Sequence, residues 1–313
     1  MRLIAMKCSQ CGAALPPRSR WSVIDCSYCH ARMVLDGSSI VLRQEYRDAL
    51  DRVESARAST RTARVGSVDY ALAPEPLRGE HGDAYWGWRC APLAEAVVIK
   101  VARAGEDGAR LEREAATLAA LQASEVRGSD HFSRLIPQVV AWGVMEGGPA
   151  GGRTALVLRR LSGFAETLAD AAPQTRRDPR HGVWIWKRLL ESLDWTHRAG
   201  WTHGAVTPRH ALIHARDHGV MLTGWSSASR AASAADARGD LVMAARCVAF
   251  SLTGKLEEVG AELPAPLRAL LAPWVAGDGT HTNAWALHEA VDAAARQAFG
   301  PPQYAPLKTA AWG

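Results

Sequence analysis

Along most of the chain, apolar and polar positions fall into short runs that predict alternating strands and helices. AVVIKVA (96–102) is a β-branched run with one Lys embedded in it, which predicts a strand. LEREAATLAALQAS (111–124) places Leu111, Ala115, Leu118 and Leu121 at helical spacing, with Glu114 beside that apolar stripe. TALVLRRLSG (154–163) reads as a further strand, and VMLTGWSSA (220–228) as a strand followed by a turn. The stretches 187–198 and 241–253 read as amphipathic core helices. QEYRDALDRVESARAST (44–60) has charges on all sides, which predicts an exposed helix or tether with a domain boundary near Val65.

A Lys inside an apolar strand must reach out to solvent or find an anion. The strand Lys100 and the helix Glu114 therefore suggest an ion pair across the strand–helix interface. Composition adds limits. The 313 residues, 48% of them hydrophobic, suffice for one large domain or two. No apolar run is long enough to span a bilayer, and MRLIAMKCSQ lacks the apolar stretch of a signal peptide. A cytoplasmic protein with no membrane partner is the expectation. No repeat of fixed period is visible.

The N-terminal cysteines change the picture more. Cys8, Cys11, Cys26 and Cys29 form two C-x2-C pairs separated by fourteen residues. Each pair can make a tight knuckle, and two knuckles joined by a hairpin complete a tetrahedral S4 site. Gly12, after the first pair, suits such a turn, and AALPPRSRWSVID reads as a turn followed by a short strand. Residues 1–35 resemble a zinc ribbon. A closed four-sulfur set implies a structural Zn2+ that a block this small needs in order to fold. Four thiolates and Zn2+ lower the formal charge of +5 to about +3, no surplus for nucleic-acid binding. Arg18, Arg20, Arg32, Arg43 and Arg47 could form a basic face but read more simply as solvated surface. Cys90 and Cys247 have no partner nearby in sequence and read as buried thiols.

The order of further pieces resembles a protein kinase over residues 65–298. LRGEHGDAY (77–85) resembles the glycine-rich loop, with Leu77, Gly79 and Gly82 at its three glycines and Ala84 at its Val. VVIK (97–100) matches V-A-I-K, Glu114 its helix partner, and TALVLRRLSG the strand leading to the hinge. KRLLESLDWTHRAGWTH (187–203) resembles the helix before the catalytic loop. GDLVMAARCVAFSLTG (239–254) resembles the buried helix beyond it, with Asp240 placed to bond the loop backbone. The resemblance implies an α+β, bilobal kinase-like domain at 65–298, preceded by the ribbon (1–35) and a linker or helix (36–64). A C-terminal tail (299–313) follows.

It also implies a catalytic deficiency. Against H-R-D-L-K-P-x-N, the loop WTHGAVTPRHALI (201–213) keeps His203 and Pro208. Gly204 stands for the Arg, Ala205 for the catalytic Asp, Thr207 for the Lys and His210 for the metal-binding Asn. At the D-F-G motif stand Gly224, Trp225 and Ser226. Phosphoryl transfer in the family needs magnesium held by that Asp and Asn, and the loop Asp to orient the hydroxyl. Ala205, His210 and Gly224 are degenerate at these positions, so no catalytic residue is assigned. Between Trp225 and Asp240 runs only SSASRAASAADARG, without A-P-E and too short to seat a peptide.

The resemblance therefore points to a pseudokinase that binds, scaffolds or regulates a protein partner. Lys100, Glu114, Gly79 and Gly82 are its candidate nucleotide residues, for ATP without Mg2+. The Lys100–Glu114 pair could equally be purely structural, and Trp225 could fill the nucleotide pocket. His203 is expected to pack under the loop, and His210 with His214 lacks a third metal ligand. The alternative is a divergent serine/threonine protein kinase with unusual ligands such as Asp217 or Asp236. Nucleic-acid binding through the ribbon is a weaker alternative that the modest charge does not favour.

Overall fold

The computed structural model describes residues 23–25, 32–34, 61–79, 82–90, 95–103, 105–161, 163–164, 166–231 and 234–309. Its contacts divide the chain into two units, Met1–Ser59 and Thr60–Gly313. In the first, β1 (Val23–Asp25) and β2 (Arg32–Val34) pair antiparallel, with Val23 opposite Val34 and Asp25 opposite Arg32. Cys8, Cys11, Cys26 and Cys29 lie outside the described residues, as does the tether of residues 44–60.

The second unit begins with a sheet that closes on itself. Its strands are β3 (Arg61–Val65), β4 (Val68–Leu72), β5 (Leu77–Arg78), β6 (Gly82–Arg89), β7 (Ala96–Ala102), β8 (Gln138–Glu146) and β9 (Thr154–Arg159). They form a seven-stranded sheet in the order β4-β3-β8-β9-β7-β6-β5, and β4 also pairs with β6. That extra pairing closes every strand but β5 into a barrel, which leaves little free edge. Residues 61–65 read in the sequence as the end of a polar tether. They form a strand whose Ala63 and Val65 are buried while Arg61, Thr62 and Arg64 face solvent. The alternation is genuine, but only two small apolar residues carry it.

Parity along β7 sets the site. Val97, Ile99 and Val101 fill the barrel interior with Tyr70, Leu72, Tyr85 and Val157. The intervening positions face outward, where helix α1 (Gly105–Gln122) covers the barrel with Ala115, Leu118 and Leu121 against Leu156 and Leu158. Both faces of β7 are covered, so its sequence is a continuous apolar run rather than an alternation. A short helix α2 (Ser129–Phe132) leads into β8.

A helical half follows: α3 (Leu168–Thr175), α4 (Pro179–Arg198), α5 (Ala234–Thr253), α6 (Ala265–Ala276) and α7 (Ala284–Phe299). Thr167 and Asp170 cap α3 reciprocally, and Asp178 with Pro179 starts α4. The short strand β10 (Glu166–Thr167) precedes α3, and β11 (Trp201–Thr202), β12 (Ala211–His214) and β13 (Gly219–Leu222) lie between α4 and α5. They are joined by β14 (Ser229–Arg230), which pairs with β11. The segment after α7 is docked rather than loose: Leu307 joins the core, and His218 Nε2 donates to the Ala305 carbonyl at 2.8 Å. Cys247 is buried as expected, burial pushing its thiol well above the usual range, whereas Cys90 is only half-buried. No described helix is long and apolar enough to cross a membrane.

Candidate functional site

The outward parity of Lys100 brings it to α1, and the ion pair expected from the sequence forms. Lys100 Nζ donates to Glu114 Oε1 at 2.6 Å. Glu114 is 1% exposed, and the same oxygen accepts the Trp225 backbone N–H at 3.3 Å. Across the sheet, Lys100 lies opposite Ala84 and Ala84 opposite Leu77, so these three share one face.

Gly79 and Gly82 flank the tight β5–β6 turn, where the Gly79 N–H donates to the Gly82 carbonyl at 2.9 Å. A Cβ at Gly82 would stand 2.5 Å from the Val101 carbonyl oxygen, and one at Gly79 2.9 Å from that of Gly82. Close backbone packing in the barrel therefore demands both glycines without any ligand. Arg103, at the end of β7, fastens this turn by donating to the Gly79 carbonyl at 2.6 Å and to Asp83 at 3.0 Å.

Below the barrel, Asp240 organises the loop from inside α5. Its carboxylate accepts the backbone N–H of His203 and that of Gly204, each at 2.8 Å, and lies 2.9 Å from His197 Nε2. At 1% exposure, such a carboxylate needs these donors. His203 is wholly buried beneath the loop. Its Nδ1 accepts the Ala205 N–H at 3.2 Å, so Nε2 carries the hydrogen and donates to the Thr223 carbonyl at 3.1 Å. Burial lowers its pKa to about 4, so the ring is neutral near pH 7.

The degenerate positions converge on the same loop. Gly224 takes a left-handed conformation (φ 79°, ψ 45°). A Cβ there would lie 2.8–2.9 Å from Cδ2, Nε2 and Cε1 of His210, so the imidazole abuts the place where a residue-224 side chain would begin. His210 Nδ1 donates to the Ala205 carbonyl at 2.8 Å. Gly204 is also left-handed (φ 71°), and a Cβ on it would meet the Ser227 carbonyl oxygen at 2.6 Å. Trp225 is wholly buried, edge-on to His203 at 4.4 Å, with its indole N–H on the Leu222 carbonyl at 2.9 Å. The group beside Gly224 is thus His210, where the sequence suggested the indole.

From Trp225 only eight residues lead to α5 at Ala234. After a 3-10 turn (Trp225–Ser227), Ser229 and Arg230 pair with Thr202 and Trp201, and the Ala231 N–H reaches the Gly200 carbonyl. Helix α5 begins at Ala234, several residues before the stretch that looked helical in the sequence. Among the described residues between Trp225 and α5 there is only this turn and the short pairing with β11.

Other candidates disperse. His214 packs edge-on against Phe164 and faces Asp217 in the β12–β13 turn, and Asp236 sits in the first turn of α5. Among the described residues no three His, Cys, Asp or Glu cluster as a metal site. Sequence reasoning missed the roles of His197 and Arg103 and the contact between His210 and Gly224. The last had a readable signal. In the β12–β13 hairpin Ala211 pairs with Leu222, which brings Thr223 to His210, their N–H and carbonyl 2.8 Å apart.

No family model and no curated protein matches the chain by sequence. Among solved structures, the chain is similar to vaccinia related kinase 3, with 15% identity and a TM-score of 0.54 over 79% of this chain and 95% of that one. A likeness at that identity is one of fold alone, and the fold it shows for this chain is that of the protein kinases.

Proposed function

We propose that the second unit is a catalytically deficient, kinase-like binding or regulatory module, a pseudokinase whose cleft takes ATP weakly and without magnesium. One combination carries this reading: an intact frame, the Lys100–Glu114 pair on one side and Asp240 on the other, flanks a centre made of Ala205, His210 and Gly224. Magnesium requires several oxygen ligands in near-octahedral array. Neither methyl nor hydrogen at positions 205 and 224 supplies one, and an imidazole is a poor substitute. The short passage from Trp225 to Ala234 also leaves no seat for a peptide hydroxyl.

The first unit we read as a zinc ribbon that offers a second docking surface to a protein partner. The donor set fits: two C-x2-C pairs, the second falling between the paired strands β1 and β2. Zinc bound there would hold the two knuckles together and take no part in chemistry.

Two measurements test these proposals. Incubation with ATP, Mg2+ and a generic protein substrate should give phosphate transfer at background, and a rate typical of kinases would overturn the first. Metal analysis of unchelated protein should find zinc equimolar with the chain. Cys26→Ser should lose the zinc and leave the melting of the second unit in place.

A further inference from the structure

We propose that the cleft holds a polyphosphate group with the His210 imidazolium, beside Lys100, supplying the positive charge that a divalent cation brings elsewhere. The inference rests on the reading of the cleft as a nucleotide site and deepens it.

Three observations lead to it. The hydrogen bond from His210 Nδ1 to the Ala205 carbonyl fixes the proton on Nδ1, so Nε2 carries the lone pair. Nε2 has no hydrogen-bond partner among the described residues, and the ring is half-buried rather than sealed in the core. The same nitrogen stands 2.8 Å from where a side chain at position 224 would begin, which is where the kinase resemblance places a metal ligand. A basic nitrogen therefore occupies a metal's neighbourhood, and among the described residues no three metal-ligating side chains gather there to hold one.

The surroundings leave the imidazolium available to an anion. His203, with its ring centroid 6.4 Å away on the same loop, is neutral. Glu114, facing the cluster from α1, is engaged by Lys100 and the Trp225 N–H. Asp240, from α5, is engaged by His203, Gly204 and His197. Gly224 and Trp225 bring no charge. Protonation of Nε2 turns an acceptor into a charged donor, and phosphate oxygens are the natural partners of such a group. Metal-bound ATP, already partly neutralised, gains less from such a site than free ATP.

The test is calorimetric binding to the full chain at pH 8 and pH 6, with ATP in EDTA, with ATP and Mg2+, and with inorganic tripolyphosphate in EDTA. ATP in EDTA should bind at least fivefold more tightly at pH 6, a single linked proton allowing up to about tenfold per pH unit. Added Mg2+ should give no gain. His210→Gln should flatten the pH response. The terminal phosphate of ATP also gains a proton in this range, but it does so equally for both proteins. In the unaltered chain, the His210 ring resonance should titrate at higher pH when ATP is present, so the test does not depend on the variant folding. A pH response that survives in His210→Gln, an unmoved His210 resonance or a gain on adding Mg2+ would overturn the inference and leave the nucleotide reading standing. Tripolyphosphate binding without ATP binding would sustain the His210 site and remove the nucleotide. Failure of both ligands at both pH values would remove both.

Discussion

The site has two layers, and they differ in what holds each residue in place. The lower layer is buried and hydrogen-bonded: Asp240 and Glu114 are each 1% exposed, His203 is fully enclosed, and every one of these side chains satisfies backbone or side-chain partners. The upper layer is Ala205, His210 and Gly224: Ala205 and His210 are half-buried, Gly224 is buried, and only His210 makes a side-chain hydrogen bond there. Chemistry in the kinase family is done by the upper layer, yet the fold depends on the lower one. Substituting the upper layer removes magnesium ligands and an orienting carboxylate at little cost to folding, whereas substituting the lower layer leaves buried polar groups unpaired. A kinase-like fold can therefore tolerate substitution at the upper-layer positions.

The contrast is broken most directly at Asp240. Asp240→Ala strands two backbone N–H groups and His197 inside the protein, and should cost about 3–5 kcal/mol in denaturant unfolding of the second unit. Ala205→Gly, in the upper layer, should cost no more than about 1 kcal/mol. Equal costs would erase the distinction between the layers.

Next in size is the acid response of His203. Its pKa falls from 6.5 in the unfolded chain to about 4 in the folded one, so the unfolded chain takes up the proton first as pH drops. Its burial carries no such penalty above pH 6.5. Stability should then decline between pH 6.5 and 4, by up to about 3 kcal/mol from this group. Denaturant midpoints at pH 7 and 4.5 should diverge more for the unaltered protein than for His203→Gln. Parallel slopes would mean that His203 is less sealed than the lower layer requires.

The lower layer was also the more legible in the sequence. Lys100 and Glu114 follow from a charge embedded in an apolar strand and from helix spacing, and His203 and Asp240 from the resemblance to the kinase motifs. What escaped depends on long-range pairing. Barrel closure rests on β4 meeting β6, and β3 shows two small apolar residues among Arg and Thr. The start of α4 was obscured by Gly182, a poor helix former, whose missing Cβ gives room to Leu252 at 2.9 Å on α5. His210 and Gly224 are separated by a hairpin, and their contact emerges only once its register is counted.

That contact makes a smaller, sharper prediction. Gly224→Asp should cost about 2 kcal/mol: roughly 1 for a left-handed non-glycine residue, and about 1 for displacing His210 from the Ala205 carbonyl. In a His210→Asn background the second part disappears, so the two substitutions should couple by about 1 kcal/mol in a double-mutant cycle. Additive costs would mean that the imidazole does not fill the space at position 224.

The smallest expected effect is on activity. Ala205→Asp, His210→Asn and Gly224→Asp together restore the acid and both metal ligands of the kinase pattern, and the pair at 210 and 224 no longer collides. Phosphate transfer to a protein substrate should nevertheless stay near background, with at most a trace of ATP hydrolysis. A loop carboxylate accelerates transfer only when the substrate hydroxyl is held within hydrogen-bond reach. The described part of the segment is committed elsewhere: Ser229 and Arg230 are paired with β11, Ala231 is tied to Gly200, and α5 starts at Ala234. Nor can the loop Arg be added by a simple swap, because any Cβ at Gly204 would lie 2.6 Å from the Ser227 carbonyl oxygen. That carbonyl belongs to the short segment itself, so repairing the upper layer in full requires rebuilding the path from Trp225 to α5. Activity at a rate typical of kinases in the triple variant would show that the three substitutions were the whole lesion and that a platform is dispensable. Background activity, together with restored tightening of ATP by Mg2+, would separate the two requirements, metal binding recovered and substrate positioning still missing.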